Sequence, residues 1–239
     1  HALKDYSDMA WHLEQRPGVH ASVNLVPVLL DQIEDYDRQF GRGGVRDPLL
    51  RLLAHPDPDR MDEAERGVVL ESCFRNNHAR MIEPFPAYRA LHQLYLHCQE
   101  SGHVGYSYLS GQYLADLLTW YHLAWTGESV RREHALVVQL MTKGCGFSIE
   151  DRRALLELIA RVVRGIVPRY RSLAVSGRIE LTTTPHQHPL APLLLDLAVA
   201  REPEPGIRLP QESVYPGGRT RVAAHIGQAL ASHALRFGA

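Results

Sequence analysis

Residues 177–196 read GRIELTTTPHQHPLAPLLLD. A long helical pattern ends just before them at Ser176-Gly177, where glycine takes the left-handed conformation that stops a helix. Ile179-Glu180-Leu181-Thr182-Thr183-Thr184 is rich in β-branched residues and alternates in polarity, which predicts a short strand. Pro185 ends it, because proline donates nothing to a ladder. His186-Gln187-His188-Pro189 makes a tight polar loop, and the apolar run from Leu190 to Ala198 predicts the next helix. One carboxylate and two imidazoles therefore fall within nine residues at a strand exit. In α/β folds, sites gather at the carboxyl ends of strands.

Working outward, Ala2 to Gln15 places Leu3, Tyr6, Met9, Ala10 and Leu13 on one face at helical spacing. Val19 to Leu25 reads as a second short strand, and Pro27 suits the first turn of a helix running to about Tyr36. Phe40-Gly41-Arg42-Gly43-Gly44 breaks the pattern, and no strand signal follows until residue 179. Helices are predicted over about 48–53, 62–75, 84–99, 110–125, 128–141 and 148–174, the last opened by the capping pattern Ser148-Ile149-Glu150-Asp151 and broken near Pro168. Residues 45–175 thus read as a helical insertion between two strands. After the loop Glu202-Pro203-Glu204-Pro205-Gly206, Arg221 to Phe237 forms a final amphipathic helix. The class is α/β, with two strands each followed by a helix.

Composition narrows the function. Over 239 residues the formal charge is −1 and the pI about 7.0, which gives no pull toward nucleic acid or an anionic membrane. No apolar run approaches the roughly 18 residues that span a bilayer, and no signal peptide is visible. Cys73, Cys98 and Cys145 are widely spaced, which predicts reduced thiols and a cytoplasmic protein. No GxGxxG, Walker A, GxSxG or HExxH motif occurs, so no cofactor or metal is expected. The chain starts at His1, inside a helical pattern, and two strands do not make a stable parallel sheet alone. Further strands outside these residues are therefore expected.

Four positions at or near the strand exits, and one aromatic, are candidates for ligand contact. Glu180 faces away from Ile179 and Leu181, either as a sugar-binding or supporting carboxylate or as an ordinary exposed strand residue. His186 and His188 are spaced i, i+2, which in an extended segment puts both rings on one side. That suits two metal ligands lacking a third, or two loop histidines bonded to backbone or substrate. Asn24 ends the first strand, facing the same cleft or capping the next helix. Trp120, with Tyr121 and Trp125, offers a stacking surface for a sugar, or packs in the core as its helical spacing favours.

Several segments resemble glycoside hydrolase family 57, the α-amylase and 4-α-glucanotransferase family. They are His1-Ala2-Leu3-Lys4-Asp5-Tyr6 with Asp8-Met9, Ser22-Val23-Asn24-Leu25-Val26-Pro27, Asn77-His78-Ala79-Arg80-Met81-Ile82, Asp116-Leu117-Leu118-Thr119-Trp120, and above all Gly177 to Pro185 with His188-Pro189. The resemblance runs along nearly the whole chain. It implies part of an incomplete (β/α)7 barrel over 1–239, with the helical insertion inside it. It also implies retaining action on an α-glucan or maltooligosaccharide by an α-amylase, a 4-α-glucanotransferase or a branching enzyme. Glu180 would support the sugar subsite, alongside His186, His188, Asn24 and Trp120. The family's nucleophilic glutamate would come just after Ala239 and its acid/base aspartate later still, so no catalytic residue lies in this chain and the piece alone is expected to be inactive. Two other readings compete: a metal-dependent polysaccharide deacetylase with His186 and His188 as ligands, and a non-enzymatic helical binding module.

Overall fold

The computed structural model describes residues 2–100, 106–212 and 214–238. A π-helical turn over Ala2–Tyr6 leads into α1 (Ser7–Gln15), then β1 (Ala21–Asn24), α2 (Pro27–Gly41) and α3 (Pro48–Leu53). A 3-10 turn over Pro58–Arg60 precedes α4 (Glu63–Ser72), α5 (His78–Met81) and α6 (Pro86–Glu100). Then come α7 (Gly111–Ala124), α8 (Glu128–Glu133), α9 (Ala135–Lys143), the long α10 (Ile149–Val175) and β2 (Ile179–Thr182). The chain continues through α11 (Ala191–Leu195), a 3-10 turn over Leu197–Arg201, and α12 (Gly218–Phe237). Helix predominates, and the described residues hold a single two-stranded parallel sheet.

Three helices differ from expectation, each for a local reason. Residues 128–141 split at His134, whose extended backbone (φ −106°, ψ 105°) ends α8 and begins α9. The run after Leu190 splits at Asp196, also extended, whose carboxylate accepts from the Ala198 N–H to start the 3-10 turn. Conversely, α10 does not break at Pro168. Pro168 is exposed, while the buried stripe Leu155, Leu158, Ile159, Val163, Ile166, Val167, Tyr170 and Leu173 runs straight past it. Burial on that face outweighs the one backbone hydrogen bond a proline forfeits.

The chain forms two compact units. The first comprises residues 1–12 and 36–166, the second 13–35 and 167–239. The helical unit is thus bounded at 36 and 166 rather than at 45 and 175, and it also takes in the first twelve residues.

The helical unit is built on α7, whose fourteen residues include twelve that are buried. A helix apolar on all sides belongs at a core axis. Its polar side chains are satisfied inside: the Thr119 hydroxyl donates to the Ala115 carbonyl at 2.7 Å, and the His122 ring N–H to the Leu118 carbonyl at 2.7 Å. Asp116 accepts from the Gly146 and Phe147 N–H groups and from Gln112. Burial pushes the His122 pKa down to about 4, so the ring is neutral near pH 7. The short α8 has glycine at its N-cap and borrows a cap from α1: Asp8 accepts from the Glu128 N–H, the Ser129 N–H and the Ser129 hydroxyl at 2.8, 2.9 and 2.5 Å. Burial raises the Asp8 pKa, but these hydrogen bonds outweigh it and leave the carboxyl below its ordinary range. Gly127 leaves room for that approach, since a β-carbon there would collide with the Asp8 carboxylate.

Candidate functional site

In the second unit, β1 and β2 run parallel with Ala21 beside Ile179, Ser22 beside Glu180, Val23 beside Leu181 and Asn24 beside Thr182. Strand pleating sends alternate residues to opposite faces. One face carries Ala21, Val23, Ile179 and Leu181, with Val23 and Ile179 each 6% exposed. The other carries Ser22, Asn24, Glu180 and Thr182, all exposed. Glu180 therefore points away from its apolar neighbours, as the alternation predicts, and its carboxylate accepts from the Ser22 hydroxyl at 3.0 Å. The Asn24 carboxamide has no hydrogen-bond partner among the described residues, and the next helix starts three residues on, at Pro27. The capping reading of Asn24 is thereby corrected, and its donor and acceptor remain available on the open face.

The strand exit folds as a turn, not as an extended segment. His188 takes φ 53°, its N–H donates to the Pro185 carbonyl at 2.7 Å, and its Nδ1 lies 3.1 Å from the Thr184 hydroxyl. His186 faces elsewhere. Its Nε2 lies 2.9 Å from Asp31 Oδ2 on α2, its N–H donates to the His225 carbonyl on α12, and its carbonyl accepts from Val28. The i, i+2 spacing therefore does not put the two rings on one side, because the positive φ at His188 turns the chain between them. Metal ligation by that pair loses its geometric basis, and among the described residues no group of three His, Cys, Asp or Glu side chains is placed to hold a metal.

Asp31 is itself part of a charge network. Arg236 on α12, only 8% exposed at its side chain, grips Glu34 with Nε at 2.8 Å and Nη2 at 2.7 Å, and reaches Asp31 Oδ1 at 2.6 Å. The hydrogen bonds to Glu34 raise the Arg236 pKa against the opposing effect of burial. The chain Arg236–Asp31–His186 ties the turn after β2 to both α2 and α12. His186 is thus an anchor whose one free ring nitrogen, Nδ1, is buried without a partner among the described residues, whereas His188 is exposed.

Trp120 belongs to the helical unit and is 3% exposed. Its indole N–H donates to the Gly144 carbonyl at 2.7 Å, and its ring stacks on Tyr88 with centroids 6.4 Å apart and packs against Phe85 and Phe147. Packed so, it offers no open face to a sugar, and the core reading of its helical spacing holds.

Sequence reasoning did not single out Ser22 or Thr182. The parallel register points them to the same face as Glu180, and two alternating strands in one sheet were the available signal. Asp31 and Arg236 carried no such signal, since they lie 155 and 50 positions from His186.

The family model for glycosyl hydrolase family 57 matches residues 1–229, and the chain belongs to that family. Membership puts it among glycoside hydrolases and transglycosylases, whose substrates are glycans. Comparison with curated proteins and with solved structures gives no match.

Proposed function

We propose that the open face of β1 and β2 is part of the sugar-binding surface of a retaining, α-glucan-active enzyme of the α-amylase, 4-α-glucanotransferase or branching type, in which these strands contribute to an incomplete (β/α)7 barrel. The observation that carries the reading is the exposed row Ser22, Asn24, Glu180 and Thr182, set opposite the buried Val23 and Ile179. Such a row supplies carboxylate, carboxamide and hydroxyl groups, the mixed donors and acceptors that sugar hydroxyls need.

Retaining hydrolysis requires two carboxyl groups about 5–5.5 Å apart, one attacking and one donating its proton. The open strand face carries one, Glu180, held by a serine hydroxyl. Glu180 accordingly takes a supporting part, binding or orienting a sugar hydroxyl. The nucleophile and the acid/base come from residues outside these 239. In the chain extended at both ends, Glu180→Gln keeps the shape and loses a charge-assisted hydrogen bond, so turnover of maltooligosaccharide should fall about tenfold. Kinetics identical to the parent would remove Glu180 from the site.

A further inference from the structure

The helical unit contains a cleft of about 230 Å³, lined by Pro56 to Asp59, by Gly111, Gln112 and Ala115 at the start of α7, and by Phe147 to Ile149 with Arg152. Sites for drug-sized ligands run to roughly 300–1,000 Å³, so this one has room for a single ring. One wall is the Arg152 side chain, and Arg152 is only 2% exposed. Its Nη1 donates to the Leu53 and His55 carbonyls at 2.8 and 2.7 Å, but its buried Nε has no partner among the described residues. No carboxylate lies within ion-pairing distance of it there, and burial lowers its pKa. A buried guanidinium bonded only to carbonyls is short of an acceptor.

The remaining walls define what can supply one. Asp59 accepts from the Gly111 N–H at 2.6 Å, while Asp57 accepts from the Asp59 N–H at 3.2 Å and pairs with Arg60 Nε at 3.2 Å, which still leaves acceptor capacity on both carboxylates. Arg60, paired with Asp57, and the buried Arg152 balance the charge of Asp57 and Asp59, so the cleft favours neither an anion nor a cation. A neutral polyol suits it: its hydroxyls donate to the carboxylates and accept from the guanidinium, while its C–H face packs on Pro56, Pro58 and Ile149. We propose that this cleft is a second carbohydrate site, taking one neutral pyranose unit and sharing no residue with the strand exit. The inference rests on the glycan-acting reading above.

The test is amide and Arg Nε–H NMR of the full 239-residue chain, titrated with maltotriose and separately with inorganic phosphate. Maltotriose should move the Gly111, Gln112, Ser148 and Ile149 amides and the Arg152 Nε–H signal, saturating in the millimolar range expected for a ligand this small. Asp57→Asn keeps an acceptor for the Asp59 N–H, and it should weaken that binding about fivefold through loss of one charge-assisted bond. No cleft response to about 50 mM maltotriose, a range reaching beyond millimolar affinity, would overturn the proposal, as would a response to phosphate alone. Shifts at Ser22, Glu180 and Thr182 report the strand exit independently, so a silent cleft beside a responding sheet defeats only this inference. A responding cleft beside a silent sheet defeats only the strand-exit reading.

Discussion

Glu180 and His122 sit at opposite extremes of solvation, and each has a function set by its surroundings. Glu180 is an exposed carboxylate on an open strand face, free to meet a ligand. His122 is 4% exposed and neutral, its ring committed to the Leu118 carbonyl. With its folded pKa lowered to about 4 from the ordinary 6.5 of a histidine, the unfolded chain binds the extra proton first as pH falls. The stability it contributes is therefore complete above about pH 6.5 and lost as pH drops toward 4. Between pH 7 and pH 5 the loss is about 2 kcal/mol. Urea midpoints at the two pH values should show that fall, and His122→Leu should remove most of it; an equal fall in the variant would assign it to other groups. Arg236 belongs to the same scale. Arg236→Met removes the guanidinium from the half-exposed Asp31 and Glu34 and should cost about 1–2 kcal/mol, read by chemical denaturation. A change below about 0.5 kcal/mol, the range of an ordinary surface substitution, would mean the network is solvated. Residue roles were only partly legible in the sequence. Strand alternation gave the direction of Glu180, and helical spacing gave the burial of Trp120. His186 misled because its partner Asp31 lies far away in the chain and its neighbour His188 adopts a backbone angle that spacing does not encode.

Among the elements, α8 depends most on something distant. A six-residue helix is marginal by itself, and it is held at its first turn by the Asp8 carboxylate from α1. Asp8→Ala should destabilise the chain by about 1–2 kcal/mol, while Ser110→Ala, which removes a cap within its own helix, should cost about 1 kcal/mol. Because the Asp8 pKa is lowered, its share of stability is present above the ordinary carboxylate range and is lost as pH falls through the folded value. Thermal melts at neutral and acid pH would check both, and a neutral-pH melt unchanged by Asp8→Ala would show the cap to be dispensable. Helix existence was readable from periodicity nearly throughout. The failures have two causes: locally extended backbone at His134 and Asp196 splits two helical runs, whereas packing on the buried face carries α10 past Pro168. Pro168→Ala restores a backbone donor at an exposed position and should stabilise by about 1 kcal/mol or more; a lowered melting temperature would contradict the account of α10.

For the whole molecule, the sequence conveyed two strands and a large helical block between them, and the described residues are mostly helical with one small parallel sheet. It did not convey that residues 1–12 join the helical block, because that depends on side chains such as Asp8 and Trp11 meeting partners at 128, 129 and 133. Family membership fixes the enzyme class, and the single carboxylate on the open sheet face limits what the described strands can do chemically. The most direct measurement is release of reducing ends from maltooligosaccharides by the 239-residue chain, set beside the same chain extended at both ends. The account predicts turnover by the extended protein and none above background by the 239 residues. Robust turnover by the 239-residue chain would contradict it.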